Sequence, residues 1–542
     1  MFRANHNHIQ QSLFDSTQLM NTKIREKLEK SWAPIFYKNV FCKIDEEPFA
    51  VLYGTTGKPN FPVNILLSLE YIKHMKCCND LELLDAFYFD YLVNYAVGIW
   101  TLGEMNLAER TLYYFRERIY QYCFDNPDKD DLLFGQFLRL LHDFAEKAGI
   151  SLEEQRTDTT LFMSNIKKAG RISLAYDVLI KAVKAISKEK LTESLLKVLE
   201  PDFKTGILYR AKAQEGDSKL TLLLNLCNEA LSLLETQPGM EESDEVRIAR
   251  RFLCEQSTTE TASKKLIPKP KKEVTSGALQ SAYDEDATFR RKGDVSQNGY
   301  VLEISETCCK ENTFQLITDY AVASNNTNDM EILQDRLNDI HKNTDCTDMY
   351  VDGGFHSDKV HETAKENEIK IHLTNMTGLE PSKKLPVTEF EIDEKTNVIK
   401  KCPNGNIPYR VGIGGGQTSA HFSHETCCNC ELKEKCFSKR QVKDCVVRIY
   451  IKAVDSSRER EKIRLNRKEA TSKRAGIEGS NSALKRTGLN KLDVRGKAKS
   501  TVICGLKVTV QNIKRLIKYF QGGYKPKTTS KPINGILAPI FS

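Results

Sequence analysis

The chain has 542 residues, of which 40% are hydrophobic and 28% charged, enough apolar content for several packed domains and too much for a disordered chain. Lys and Arg exceed Asp and Glu by 80 to 73, a mild surplus as an average, but residues 451–500 hold 15 basic against 6 acidic residues. Such a local surplus suits a polyanion such as DNA, although basic segments occur in many soluble proteins.

The opening MFRANHNHIQ lacks the apolar core of a secretory signal, and no run approaches the roughly 18 apolar residues of a membrane span. The 16 cysteines are therefore expected as reduced thiols or metal ligands in a cytoplasmic protein, not as disulfides.

Residues 1–150 are expected to form a helical N-terminal DNA-binding domain. A charged run, TKIREKLEKSW, is followed over 60–124 by three helical periodicities. Asn79-Asp80 is placed to cap a helix whose Leu81, Leu83, Leu84 and Phe87 face a core. In the next helix Arg110, Arg116 and Arg118 accompany Tyr113, Tyr114 and Phe115, a pattern that fits either DNA contact or an ordinary solvated face.

Residues 151–379 read as the first part of a mixed α/β domain. Thr157, Thr159, Thr160, Leu161 and Phe162 favour a strand, and Asp158 inside it is out of place unless it pairs or binds something. A helical insertion spans about 170–272 and ends in the Pro/Lys linker Lys264–Lys272. A β-hairpin is expected from Tyr300–Glu306 and Thr313–Val322 across Cys308–Asn312. Helix Asn328–Ile340, strand Asp348–Asp352, helix Ser357–Glu366 and strand Ile369–Thr374 follow. Asp352 then ends a buried strand before two glycines, where open α/β sheets place ligands; an Asp opening a tight turn is the plain alternative.

Residues 380–450 read as a loop-rich, cysteine-rich insertion. The spacing around Cys402, Cys427, Cys430 and Cys436 suits a structural Zn2+ site, with His421 and His424 as possible substitutes; plain reduced thiols fit as well. Residues 451–542 are expected to complete the catalytic domain and end in a basic helical tail, with helix resuming from Arg458 and an apolar-basic helix over Ile503–Phe520. Within this part, RAGIEGSNSALK over Arg474–Lys485 places Arg474, Glu478 and Lys485 on one helical face, with Ser482 beside them. A solvated face with i,i+4 ion pairs explains that pattern equally.

Asp158, Asp352 and Glu478 together make a triad that cannot stay ionised around one point without a counter-charge. Hard divalent cations supply one, and two Mg2+ or Mn2+ ions can drive phosphodiester cleavage.

With these pieces in order, the chain resembles the DDE transposases of bacterial insertion sequences, in particular the subgroup with a cysteine-rich insertion before the catalytic Glu. Arg474-x3-Glu478-x6-Lys485 matches part of that group's signature, with Thr471 where a Tyr is usual. TDTTLFMSN around Asp158 resembles the first-aspartate motif and VDGGFHSD around Asp352 the second. DEDATFRRKGDVSQNGY, CPNG with its cysteines, and GLNKLDVRGKAK resemble further family segments. The resemblance implies an RNase H-like catalytic domain and a homo-oligomer that pairs the DNA ends of its element. It also implies metal-dependent strand cleavage and transfer, with Asp158, Asp352 and Glu478 holding the metal. Arg474, Lys485, Arg486 and Arg495 are the expected nucleic-acid contacts. Asp284 and Asp286 are alternative first acids, and an inactive, end-binding relic of a transposase is the rival reading.

Overall fold

A computed structural model of the chain describes residues 1–9, 16, 19–127, 131–209, 215–261, 265–292, 294–376 and 384–524. The apolar periodicities of the N-terminal quarter become a set of helices, among them α1 (Val63–Lys76), α2 (Glu109–Asp125) and α3 (Leu132–Ala148). Between α1 and α2, Asn79 caps the helix Asp80–Phe89 and Glu82 completes a capping box. Leu83, Leu84 and Phe87 of that helix are buried, whereas Leu81, on the far side from Leu83, is exposed. On α2, Arg116 is not a surface group. It donates to Glu70 at 2.7 Å and to both oxygens of Asp80 at 2.6 and 2.7 Å, so its charge is spent inside the helical layer.

The Thr-rich run becomes β1 (Glu154–Met163). A helical satellite follows with its own core around Leu179, Leu223, Cys227 and Phe252, built mainly on α4 (Arg171–Ala185), α5 (Gly216–Glu235) and α6 (Asp244–Gln256), with Leu195, Val198 and Ile207 added by two shorter helices. Of the expected linker, residue 264 lies outside the described residues, and Leu266–Pro268 pairs with Ser257–Thr259 as a short ribbon.

The expected hairpin forms with a longer first arm, β2 (Val295–Thr307), and a shorter second arm that starts later, β3 (Ile317–Ser324). Then come α7 (Asp329–Thr344), β4 (Asp348–Val351), α8 (Asp358–Glu366) and β5 (Lys370–Leu373). The sheet order is β3-β2-β1-β4-β5, with β2 antiparallel to β1 and both β4 and β5 running parallel to it. A further strand, Thr288–Lys292, continues the line of β3 along the outer edge of β2. The chain is thus a mixed α/β protein.

The expected boundary near 379/380 lies outside the described residues. Beyond it, the stretch read as loop-rich contains a small antiparallel sheet. Its strands β6 (Arg410–Gly414), β7 (Gln417–Phe422), β8 (Lys439–Arg440) and β9 (Cys445–Tyr450) lie in the order β6-β7-β9-β8. Alternate residues of β7 are buried, so the period-2 signal was present, hidden among polar, Gly and Cys residues. Val387, Phe390, Ile399 and Phe422 contribute to its separate core.

Directly after β9 runs α9 (Ile451–Leu484), 34 residues and about 51 Å long. Its start precedes the expected Arg458 because Val454 is drawn into the insert's core. A wide turn at Lys485–Leu489 follows, in which Gly488 takes φ +90°, and then α10 (Lys497–Phe520). α10 is buried between one face of the sheet and the N-terminal helices. Val508 and Ile513 share one core with Tyr71, Phe137, Ile304 and Tyr320. Asn512 bonds both the N–H and the carbonyl of Ile317, at 2.9 and 2.7 Å, continuing the pairing at the edge of β3. The tail beyond residue 524 lies outside the described residues. No helix among the described residues is long and apolar enough to cross a membrane.

Candidate active site

β1 and β4 pair in parallel up to Arg156 and Tyr350. Asp158 and Asp352 each stand two residues further on, so strand alternation brings both carboxylates to the same face and level. α9 crosses that face and adds Glu478. The three acids meet on one side chain: Arg474 Nη2 donates to Asp158 Oδ1 and to Asp352 Oδ2, at 3.2 Å each, and Nη1 lies 3.6 Å from Glu478 Oε1. Asp158 and Arg474 are largely buried, at 16% and 17% exposure, while Glu478 is 68% exposed and open to an incoming ligand.

Each group is held from behind. Asp352 opens a tight turn and accepts the Gly354 N–H at 2.8 Å, which leaves Oδ2 facing Arg474. Asp158 Oδ2 accepts from Asn481 Nδ2 at 3.0 Å. Burial pushes the Asp158 carboxyl up, and Asp352 adds to this against the pull of Arg474 and the Thr159 N–H. Asn481 was not singled out from the sequence. It lies three residues after Glu478 and seven after Arg474, so the same helical face could have indicated it.

Beneath the acids a buried ion cluster fixes α9 to the sheet. Glu306, fully buried on β2, receives Arg156 at 2.8 Å, Arg515 of α10 at 2.6 Å and the Ser480 hydroxyl at 2.6 Å. Burial alone would raise its pKa, but Arg515, Arg156 and Ser480 hold it below the usual carboxylate range. Arg156 also donates to the Lys473 carbonyl at 2.6 Å, and Lys473 Nζ reaches Glu154 at 2.8 Å and the Tyr350 hydroxyl at 2.9 Å. Ser480, not the exposed Ser482, is the hydroxyl that matters on this helix.

Of the expected nucleic-acid contacts, Lys485 and Arg486 sit in the wide turn after α9 and make no ion pair among the described residues. Arg495 donates to the Asn165 carbonyl at 2.8 Å and lies over the Tyr283 ring. The segment around them is tied to the end of β1 by Met163 N–H to Asn490 and Asn165 N–H to Val494. Asp284, an alternative first acid, is bonded elsewhere: its oxygens accept from Ser164, Tyr300 and the Gly496 N–H. Asp286 accepts the Lys497 N–H at 3.3 Å.

Residues 401–517 match the family model Transposase DDE domain. No curated protein and no solved structure matches the chain. The matched segment runs from the insert through α9 into α10 and carries Glu478; Asp158 and Asp352 lie before it. The match supports a DDE transposase. Among the described residues, no three His, Cys, Asp or Glu side chains stand as placed in an arrangement that would hold an ion. Asp158, Asp352 and Glu478 are gathered on a guanidinium instead. Their oxygen-only donor set suits Mg2+ or Mn2+, and among the described residues the buried Asn481 Oδ1 beside them has no hydrogen-bond partner.

Proposed function

We propose that this chain is a DDE transposase that binds the ends of its own DNA element and catalyses metal-dependent strand cleavage and transfer. The observation that carries the reading is the convergence of Asp158, Asp352 and Glu478 on Arg474 from two parallel strands and a late helix. The order β3-β2-β1-β4-β5, with the first acid inside β1 and the second just past β4, supports an RNase H-like catalytic domain.

In this reading Asp158, Asp352 and Glu478 hold Mg2+ or Mn2+. Bound there, a divalent pair supplies an activated water or 3′-hydroxyl and stabilises the leaving oxygen. The chain's own groups do the rest. The Gly354 N–H and Asn481 orient the two aspartates. Arg474 neutralises the acids before loading and, once displaced, can fork onto a phosphate. Lys485, Arg486 and Arg495 extend that positive edge along the DNA backbone. On α2, exposed Tyr113 and Tyr114 beside Arg110 leave an aromatic, basic surface, which supports the helices of residues 1–150 as the end-binding part. By the family resemblance the active form is a homo-oligomer that brings two ends together.

The test is cleavage of DNA carrying the element's ends, with Mg2+ or EDTA, by wild type, Asp352→Asn and Glu478→Gln. Cuts that need the metal and both acids support the proposal. Specific end binding without any cutting by wild type would make the chain an inactive relic. Normal cutting by either variant would sink the triad.

A further inference from the structure

The insert between β5 and α9 has its own small core and packs mainly on the start of α9. A unit of this size needs something beyond apolar burial to hold a single structure. Four cysteines from two separated segments reach the wall of one cavity of about 30 Å3, room for an occupant the size of one or two waters: Cys402 from the CPNG turn, and Cys427, Cys430 and Cys436 from the segment between β7 and β8. Cys428, next to Cys427, is exposed and does not line it.

We infer that Cys402, Cys427, Cys430 and Cys436 bind a structural Zn2+ ion that ties the CPNG turn to the segment before β8. Three independent observations support this. The cavity sorts the cysteines of the C-C-N-C run, taking the first and third and rejecting the second. The turn that presents Cys402 is preformed: its N–H and carbonyl bond Asn406 and Gly405, and the Asn406 amide points at the sulfur, at 3.6 Å. Finally, cationic groups surround the place where four thiolates and Zn2+ would leave a net charge of −2. Lys433 lines the cavity, and Lys384 Nζ bonds the Cys436 carbonyl at 2.9 Å.

As placed, the sulfurs do not stand at ligating distance. Each cysteine has three staggered χ1 wells through which its sulfur can turn towards the cavity. Binding releases the four thiol protons, and a closed tetrahedral S4 site follows. Cys445 neighbours Cys427 and contacts His424 at 3.7 Å, but neither Cys445 nor His424 lines the cavity, so the set is drawn without them.

The experiment reads metal and spectra, not cleavage, so it stands whether or not the transposase reading does. The full chain is purified and its zinc measured by mass spectrometry, beside Cys428→Ser, Cys430→Ser and Cys402→Ser; Co2+ is then exchanged into wild type. One zinc per chain in wild type and Cys428→Ser, its loss in the other two, and an intense thiolate-to-Co2+ band are expected. If the ligand variants fail to fold, the zinc content and cobalt spectrum of wild type and Cys428→Ser decide. No zinc in wild type, iron with sulfide in its place, or loss of zinc in Cys428→Ser would overturn the assignment.

Discussion

The Arg156 guanidinium occupies the space that a Cβ on Gly476 would need. The contact lies two residues from Asp158 on the strand and two from Glu478 on the helix. The spacing of those two carboxylates is therefore set by a glycine and an arginine that carry no chemistry themselves.

Gly476→Ala tests this. In a solvated helix, alanine gains about 1 kcal/mol over glycine. Here it forces α9 off β1, an overpacking that costs about 1–3 kcal/mol. We expect lower stability in urea unfolding and, because the acids separate, a loss of end cleavage on the order of a hundredfold. A variant as stable and active as wild type would show that the clasp does not position the site.

Arg474→Gln removes the counter-charge that three acids share. In EDTA the variant should be less stable by about 1–2 kcal/mol, less than for a sealed ion pair because Asp352 and Glu478 reach solvent. Added Mn2+ should raise its melting temperature more than that of wild type, since the cation replaces the missing charge. Equal shifts in the two proteins would mean that the acids do not share a cation site.

Glu303, on the opposite face of β2 from Glu306, is fully buried, and among the described residues neither of its oxygens has a hydrogen-bond partner. Burial first, and then Asp319 and Asp329, push its carboxyl well above the usual range, against the pull of Arg336. The folded chain thus keeps a proton that the unfolded chain gives up. Stability should fall as the pH rises from the ordinary carboxylate range towards the folded-state value. Glu303→Gln carries no such proton. It should match wild type near about pH 4 and exceed it at about pH 8, with the gap widening between. Parallel stability–pH curves would refute the buried proton.

Much of the site was legible because its signals are local. A charged residue inside a β-branched run marked Asp158, and a strand end before two glycines marked Asp352. Helical spacing placed Glu478 and Arg474 on one face, and the same spacing could have indicated Asn481. What could not be read depends on partners distant in sequence. Arg116 looked like a surface cation because Glu70 of α1 and Asp80 of the helix Asp80–Phe89 become its neighbours only when both helices pack on α2. Arg474 looked like a phosphate grip, and only the crossing of α9 over β1 and β4 turns it inward. The insert's sheet was missed because its strands are short and its buried residues few. Nothing in the apolar period of α10 indicated that it would lie between the sheet and the N-terminal helices.

That position of α10 has a consequence in time. The helices made first cannot complete their core until residues 497–520 have left the ribosome, and the Arg515 that steadies Glu306 arrives in the same segment. Asp158 and Asp352 emerge long before Glu478, so a growing chain carries two acids without the third or the helix that aligns them. On the function proposed above, the site is assembled only once residues 497–520 have been made, and shorter fragments lack the helix that aligns it.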